Sequence, residues 1–387
     1  MKLPATLALL LLLLSALCPA FLLAQPPVPE NPYLPATRVV LELPPGPDNP
    51  RNSEGSFVQL KDGTLLFAYS HFSGAKGNDD APADIVSRSS HDGGLTWSKT
   101  DSAPLVAREA ATNVMSVSLL RLHDGRIALF YIRKDSIASA HIFVRFSSDE
   151  GRTWSASIQC IHDAGYYVLN NDRVIQLRSG RIVLPVALHS TPSGSFTSEG
   201  RSMVYLSDDG GTTWRRSRTV LHVPTPSPQG LQEPGVVELR DGRLMMFMRT
   251  ALGSQYLSYS SDGGETWTTP QPSSIQSPLS PATIRRIPST GDLLLVWNDH
   301  SRVDPSLRVS AHSYGKRTPL TVAISRDDGK TWIHVHDISD DPDGCFCYFA
   351  LAFVRGRVLL ATCATGKGMP CLSRLEIVTF PLSSLYK

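Results

Sequence analysis

Apolar and polar residues alternate in short runs along most of this chain, and the runs come in pairs joined by a brief polar turn. LKDGTLLFAY, LHDGRIALFY, LRSGRIVLPV, LRDGRLMMFM, PSTGDLLLVW and VRGRVLLATC are six such pairs, with turn glycines Gly63, Gly125, Gly180, Gly242, Gly291 and Gly356. A period of two interrupted by a tight glycine turn predicts a β-hairpin. Helical periodicity is nowhere sustained. All but the last hairpin lead into another alternating segment that ends in Ser-x-Asp-x-Gly-x-Thr-Trp: Ser90 to Trp97, Ser147 to Trp154, Ser207 to Trp214, Ser260 to Trp267 and Ser325 to Trp332. In that motif Asp and Gly supply a tight, partly left-handed backbone, Asp and Ser/Thr side chains bond the turn's own amides, and Trp packs beneath.

Two hairpins make a four-stranded antiparallel blade, and six blades make a β-propeller. The expected fold class is therefore all-β, a six-bladed propeller over residues 39–387. The last blade lacks the Asp motif and contains LEIVTF (Leu375 to Phe380), which is expected to pair with VVLEL (Val39 to Leu43) and close the ring.

Composition adds a compartment and removes some partners. Met1-Lys2, the apolar run Leu7 to Leu14 and a small-residue region ending near Ala24 read as a signal peptide, residues 1–24, followed by a proline-rich linker, residues 25–38. A secreted or periplasmic protein is expected. The apolar run is shorter than the roughly 20 residues a membrane-spanning helix needs, so no membrane insertion is expected. A net charge of +2 without basic or acidic runs argues against nucleic acid as a partner. A monomer is expected. After cleavage Cys160, Cys345, Cys347, Cys363 and Cys371 remain; four cluster near the C-terminus, where a disulfide can form in an oxidising compartment, and the odd number leaves at least one thiol unpaired. Neither they nor the histidines have zinc-site spacing, and no metal or other cofactor is expected.

In a propeller the innermost strand of each blade lines a central channel, so residues just ahead of each hairpin's first strand share one rim. These are Glu54, Asn113, Asp172 with Arg173, Glu233, Ser280 and Tyr348, each about seven to twelve residues upstream of its turn glycine at a rise of about 3.3 Å per residue. The second strands return to that rim at His71, Arg133, His189, Arg249, Trp297 to His300 and Cys363. A structural protein gains little from gathering glutamate, aspartate, arginine and tyrosine around one opening.

The five Asp motifs resemble the Asp-boxes of sialidases, and the likeness extends over nearly the whole mature chain. KGNDDAPADIVSRSSHDGG resembles the family's acid/base segment and implies Asp79; QEPGVVELRDGRLMMFMRT resembles its glutamate strand and the return to the second carboxylate-binding arginine, implying Glu233 and Arg249. RTPLTVAISRDDGKTW and CYFALAFVRGRVLL look like the third-arginine segment and the nucleophile strand, implying Arg317 and Tyr348. The resemblance implies an exo-acting, retaining hydrolase of terminal sialic acid or a related acidic sugar, with a Tyr348/Glu233 nucleophile pair and Asp79 as acid/base. Such an acid needs a raised pKa. The family's first-arginine strand is altered here: Glu54 or Ser53 aligns where arginine is expected, and Arg51 lies nearby. Either Arg51 completes the arginine triad or Glu54 faces the pocket, with Arg173 and Asn113 as further substrate contacts. A sialidase-fold hydrolase for another sugar and a non-catalytic carbohydrate-binding propeller are the alternatives.

Overall fold

The computed structural model describes residues 34–108, 111–310 and 313–387; the expected signal peptide and the linker up to residue 33 lie outside the described residues. Six antiparallel blades follow one another along the chain. Blade I is built from Arg51–Gln59, Leu65–Phe72 and Ala83–Ser90, and blade II from Asn113–Arg121, Ile127–Ser136, Ser139–Ser147 and Ile158–Gln159. Blade III uses Ile175–Gln176, Ile182–Ser190, Phe196–Ser207 and Arg215–Arg216; blade IV uses Gln232–Glu238, Leu244–Arg249, Ser254–Ser260 and Gln271–Gln276. Thr283–Arg286, Leu293–Trp297, Leu320–Ser325 and Ile333–Ser339 form blade V. Blade VI takes Cys345–Val354, Arg357–Thr365 and Leu375–Pro381 from the end of the chain and its outermost strand, Arg38–Leu43, from the beginning. The ring closes as the alternation implies, with Val39 opposite Val378 and Leu43 opposite Leu375. Blade I departs from four regular strands: its outer edge is an irregular segment in which Leu105 and Ser102 bond the backbone of Ile85 and Ser87.

Each blade is apolar on both faces, so the core is divided into clusters between neighbouring blades. Phe130 and Leu184 pack with the edge of Trp214 between blades II and III; Val204, Leu206, Val236 and Met246 fill the gap between III and IV. The Asp-boxes behave as their chemistry demands. In all five the serine hydroxyl accepts the amide of the second glycine position at 2.8 to 2.9 Å, and the threonine hydroxyl donates to the aspartate at 2.6 to 2.7 Å. They also join blades. Arg126 and Arg181, one residue past their hairpin glycines, donate to the carbonyls of Gly210 and Gly263 in the next blade's box, and Arg240 donates to Arg326 O.

Register fixes which way everything faces. In blade I Gln59 sits opposite Leu65 and Leu65 opposite Ser90, whereas Arg51, Phe72 and Ala83 line up at the other end. The same holds in blade IV, with Glu238, Leu244 and Ser260 at one end and Gln232 and Arg249 at the other. Hairpin turns and Asp-boxes thus share one face, and the candidate site residues lie at the opposite end of the strands.

Candidate active site

The site is made by one irregularity repeated around the ring. Glu54, Ser116, Asp172, Glu233 and Tyr348 all have φ between 45° and 59°, in the left-handed region. In blades I, II, IV and VI the residue coincides with a slip in pairing register, between Ser53 and Ser56, Met115 and Ser118, Gln232 and Gly235, and Cys347 and Ala350. Each is a bulge in the innermost strand, which re-aims one side chain. A non-glycine residue held there costs on the order of 1–3 kcal/mol, and such strain concentrates at functional sites. Asp172 spends its carboxylate on the ring itself, accepting from Ser56 Oγ at 2.7 Å and from the Leu351 amide at 3.0 Å.

Tyr348 and Glu233 meet across the channel. The tyrosine hydroxyl donates to Glu233 Oε1 at 3.2 Å, and Arg249 Nη1 donates to Glu233 Oε2 at 2.7 Å. Burial alone would raise the Glu233 pKa, but the charge and hydrogen bond of Arg249, helped by Arg317 and Arg173, hold it below the usual range. Burial and the charge of Glu233 push the Tyr348 hydroxyl well up. A phenol that resists ionisation therefore rests against an ionised carboxylate. Arg317 completes this side: its guanidinium lies 5.7 Å over the Tyr348 ring and donates to Cys347 Sγ at 3.2 Å, and among the described residues no carboxylate pairs with it.

Arg51, Glu54 and Asp79 form the facing group. Arg51 is buried, donates to Glu54 Oε1 at 2.9 Å, to Asp79 Oδ1 at 2.6 Å and to Ser53 Oγ at 2.8 Å, and lies 4.3 Å over the Phe72 ring. The two candidates for the altered motif are thus paired with each other, the bulge at Glu54 bringing its carboxylate onto a residue three positions earlier. Burial, with the charges of Asp79 and Glu233 adding and Arg51 opposing, raises Glu54 to about 7. Asp79 differs from what an acid catalyst needs. Although desolvation raises it, the charge and hydrogen bond of Arg51, with Lys134 and Arg317, bring it below the usual carboxylate range. Its side chain is 61% exposed, open to an incoming ligand.

Asn113 and Arg173 take other places. Asn113 Nδ2 donates to the carbonyls of Asp79 and Ala81, holding the Asp79 loop from behind, and the left-handed position of blade II falls on Ser116 instead. Arg173 donates to Ala282 O and Thr283 Oγ1 on blade V, deeper in the channel. Two residues escaped the sequence reading. Lys134 is buried, bonds Asp79 O at 3.0 Å and Asp80 Oδ1 at 2.5 Å, and is the inward partner of a pair whose other member, Arg133, turns out to Asp135. Cys347 is the acceptor for Arg317 and sits opposite Cys363; burial opposes it, but Cys363 and Arg317 draw its thiol down to about 7. Plain alternation would send Cys347 to the face opposite Tyr348; the bulge at Tyr348 leaves both beside Arg317. Among the described residues one disulfide joins Cys345 to Cys371, and Cys160, Cys347 and Cys363 are free thiols.

A blade count of six, Asp-box turns on one face, and a tyrosine–glutamate contact among three arginines on the other define a sialidase-type propeller. A family profile described as a BNR repeat-like domain matches residues 63–359, and the chain belongs to that family and to the sialidase superfamily. A sialidase of Micromonospora viridifaciens is 27% identical over 306 residues, covering 70% of this chain and 43% of that protein. The chain spans about half the length of the curated relatives it matches. Among solved structures, a protein of unknown function from Dyadobacter fermentans DSM 18053 superposes with a TM-score of 0.67 at 20% identity, covering 90% of this chain and 100% of that one. A Hadza microbial sialidase gives 0.68 at 18% identity, covering 86% and 66% respectively. At these identities the structural likeness speaks for the fold.

Proposed function

We propose that the protein is an exo-acting, retaining glycoside hydrolase for a terminal sugar bearing a carboxylate, sialic acid or a close relative. The observation that carries this reading is the set Arg51, Arg249 and Arg317 around Tyr348, with Arg317 lacking a carboxylate partner among the described residues. A guanidinium fork matches a carboxylate, and a desolvated, unpaired one calls for an anion. The sugar's carboxylate would meet Arg317 first and Arg249 through its buried Nε, which has no partner. Tyr348 would attack the anomeric carbon as its proton passes to Glu233, since a neutral phenol is not repelled by the bound carboxylate.

Asp79 would supply the proton to the leaving-group oxygen. Its resting ion pair with Arg51 disfavours that role, and substrate binding removes the obstacle. An incoming carboxylate competes for Arg51 and adds a negative charge beside Asp79, and both changes raise its pKa. The acid is thus made by the substrate it acts on. Water then resolves the glycosyl-tyrosine with Asp79 as base. Glu54 supports a second reading, a hydrolase for a different sugar, because its buried Oε2 has no partner and a group titrating near 7 can donate as well as accept. Export across a membrane is proposed from residues 1–24, and the Cys345–Cys371 disulfide supports an oxidising destination.

Turnover of a fluorogenic aryl sialoside with release of the α-anomer, followed by NMR, tests the principal reading. Cleavage of neutral aryl glycosides alone would replace it with the second, and binding without turnover of any glycan would leave a lectin-like propeller.

A further inference from the structure

The channel has a second mouth, on the face of the hairpin turns. There a cavity of about 270 Å³ lies beneath the strained ring, between the inner strands of blades III, IV and V. One side of it is apolar, formed by Ile175, Val236, Phe247 and Ile284. Its polar lining is four arginines with Asp172, Gln176 and Glu238, and three of the four arginines are paired, so that both lining carboxylates are spent: Arg178 with Glu238 at 3.1 Å, Arg285 with Asp172 at 2.9 Å and Arg286 with Asp328 at 3.0 Å.

Arg173 is the fourth. It is buried, its guanidinium lies 5.3 Å over the Phe247 ring, its terminal nitrogens bond Thr283 Oγ1 and Ala282 O, and its Nε–H has no partner. No carboxylate pairs with it among the described residues. Burial lowers its pKa to about 10, and the more distant Glu233 and Asp172 restore only part of what desolvation removes. A buried cation without an anion and a buried donor without an acceptor are both costly. One small anion on Nε–H relieves both. We propose that this cavity binds a small monocarboxylate with a compact apolar body, its carboxylate on Arg173 Nε–H and its body against Ile175, Val236 and Ile284.

The test uses benzoate as probe and no sugar, so its result is independent of what the opposite mouth cleaves. Calorimetric titration of Arg317→Ala, which disarms the carboxylate-binding arginines of the opposite mouth, at constant ionic strength should show one saturable benzoate site that equal chloride does not reproduce. Ile175→Glu sets a carboxylate two residues along from Arg173 and should weaken benzoate by about tenfold or more, whereas the uncharged Ile175→Gln should stay within about threefold. In the unaltered protein the same site should persist beside whatever benzoate Arg317 takes up at the other mouth. Benzoate no better than chloride would overturn the proposal, as would loss in Arg317→Ala with retention in Ile175→Glu. Should Ile175→Glu fail to fold, a crystal structure of the unaltered protein with benzoate decides: density for the ring in this cavity supports the site, and density only beside Arg317 refutes it.

Discussion

Because burial and the Glu233 charge keep the Tyr348 hydroxyl protonated at neutral pH, its nucleophilicity depends on a proton acceptor at 3.2 Å. Tyr348→Phe keeps the ring between Arg317 and its neighbours and removes one hydrogen bond, worth about 1 kcal/mol. Turnover should fall by about 100-fold or more while the melting temperature barely moves; near-normal turnover of a confirmed substrate would show that another group attacks. Glu54 offers a prediction about pH. Its pKa is raised from an ordinary 4.5 to about 7, chiefly by burial, so the folded protein holds a proton there that the unfolded chain has released. Stability from this group is present below about pH 4.5 and is lost as pH rises to about 7, by up to about 3 kcal/mol. Glu54→Gln should flatten that decline, and chemical denaturation of both proteins at pH 4.5 and 7.5 measures it. Equal slopes would mean that Arg51 offsets the burial and leaves the Glu54 pKa unchanged on folding.

The Asp-box is the element that recurs most faithfully, and its role is mechanical. Asp262 accepts from Ser260 Oγ, the Thr266 amide and Thr266 Oγ1 within an exposed turn. Asp262→Ala strips all three and should lower stability by about 1–2 kcal/mol, as loss of a capping side chain does, without changing kcat/KM, since the box lies on the face away from Tyr348. A matching loss of activity would place the boxes in communication with the site. The hairpins and boxes were legible in the sequence because alternation and turn chemistry are local: a glycine at φ near 90° and an Asp–Thr pair four residues apart need no distant partner. The bulges were not legible, because a left-handed glutamate or serine looks like any other. In blade II the left-handed position is Ser116 and not Asn113, and on the return strand it is Lys134 and not its neighbour Arg133 that turns inward, a choice of parity that alternation alone leaves open. Glu233, Arg249 and Tyr348 follow from their phase relative to the hairpin turns as well as from family resemblance, Asp79 and Arg317 from resemblance alone; the ion pair that holds Asp79 ionised is visible only in three dimensions.

At the scale of the whole ring, the circle is closed by the seam where the first strand joins the last. Leu43 packs with Leu375 and Ile377 in the cluster between blades VI and I. Leu43→Ala should cost about 2–4 kcal/mol and lower the melting temperature by several degrees. If it costs no more than an exposed substitution, the seam does not limit unfolding. The same seam has a consequence in time. Its two halves are separated by more than 330 residues of sequence, Arg38 facing Thr379, and the tyrosine opposite Glu233 arrives on the final blade. A nascent chain that lacks Leu375–Pro381 cannot close the circle, so the pocket is among the last features of the ring to form.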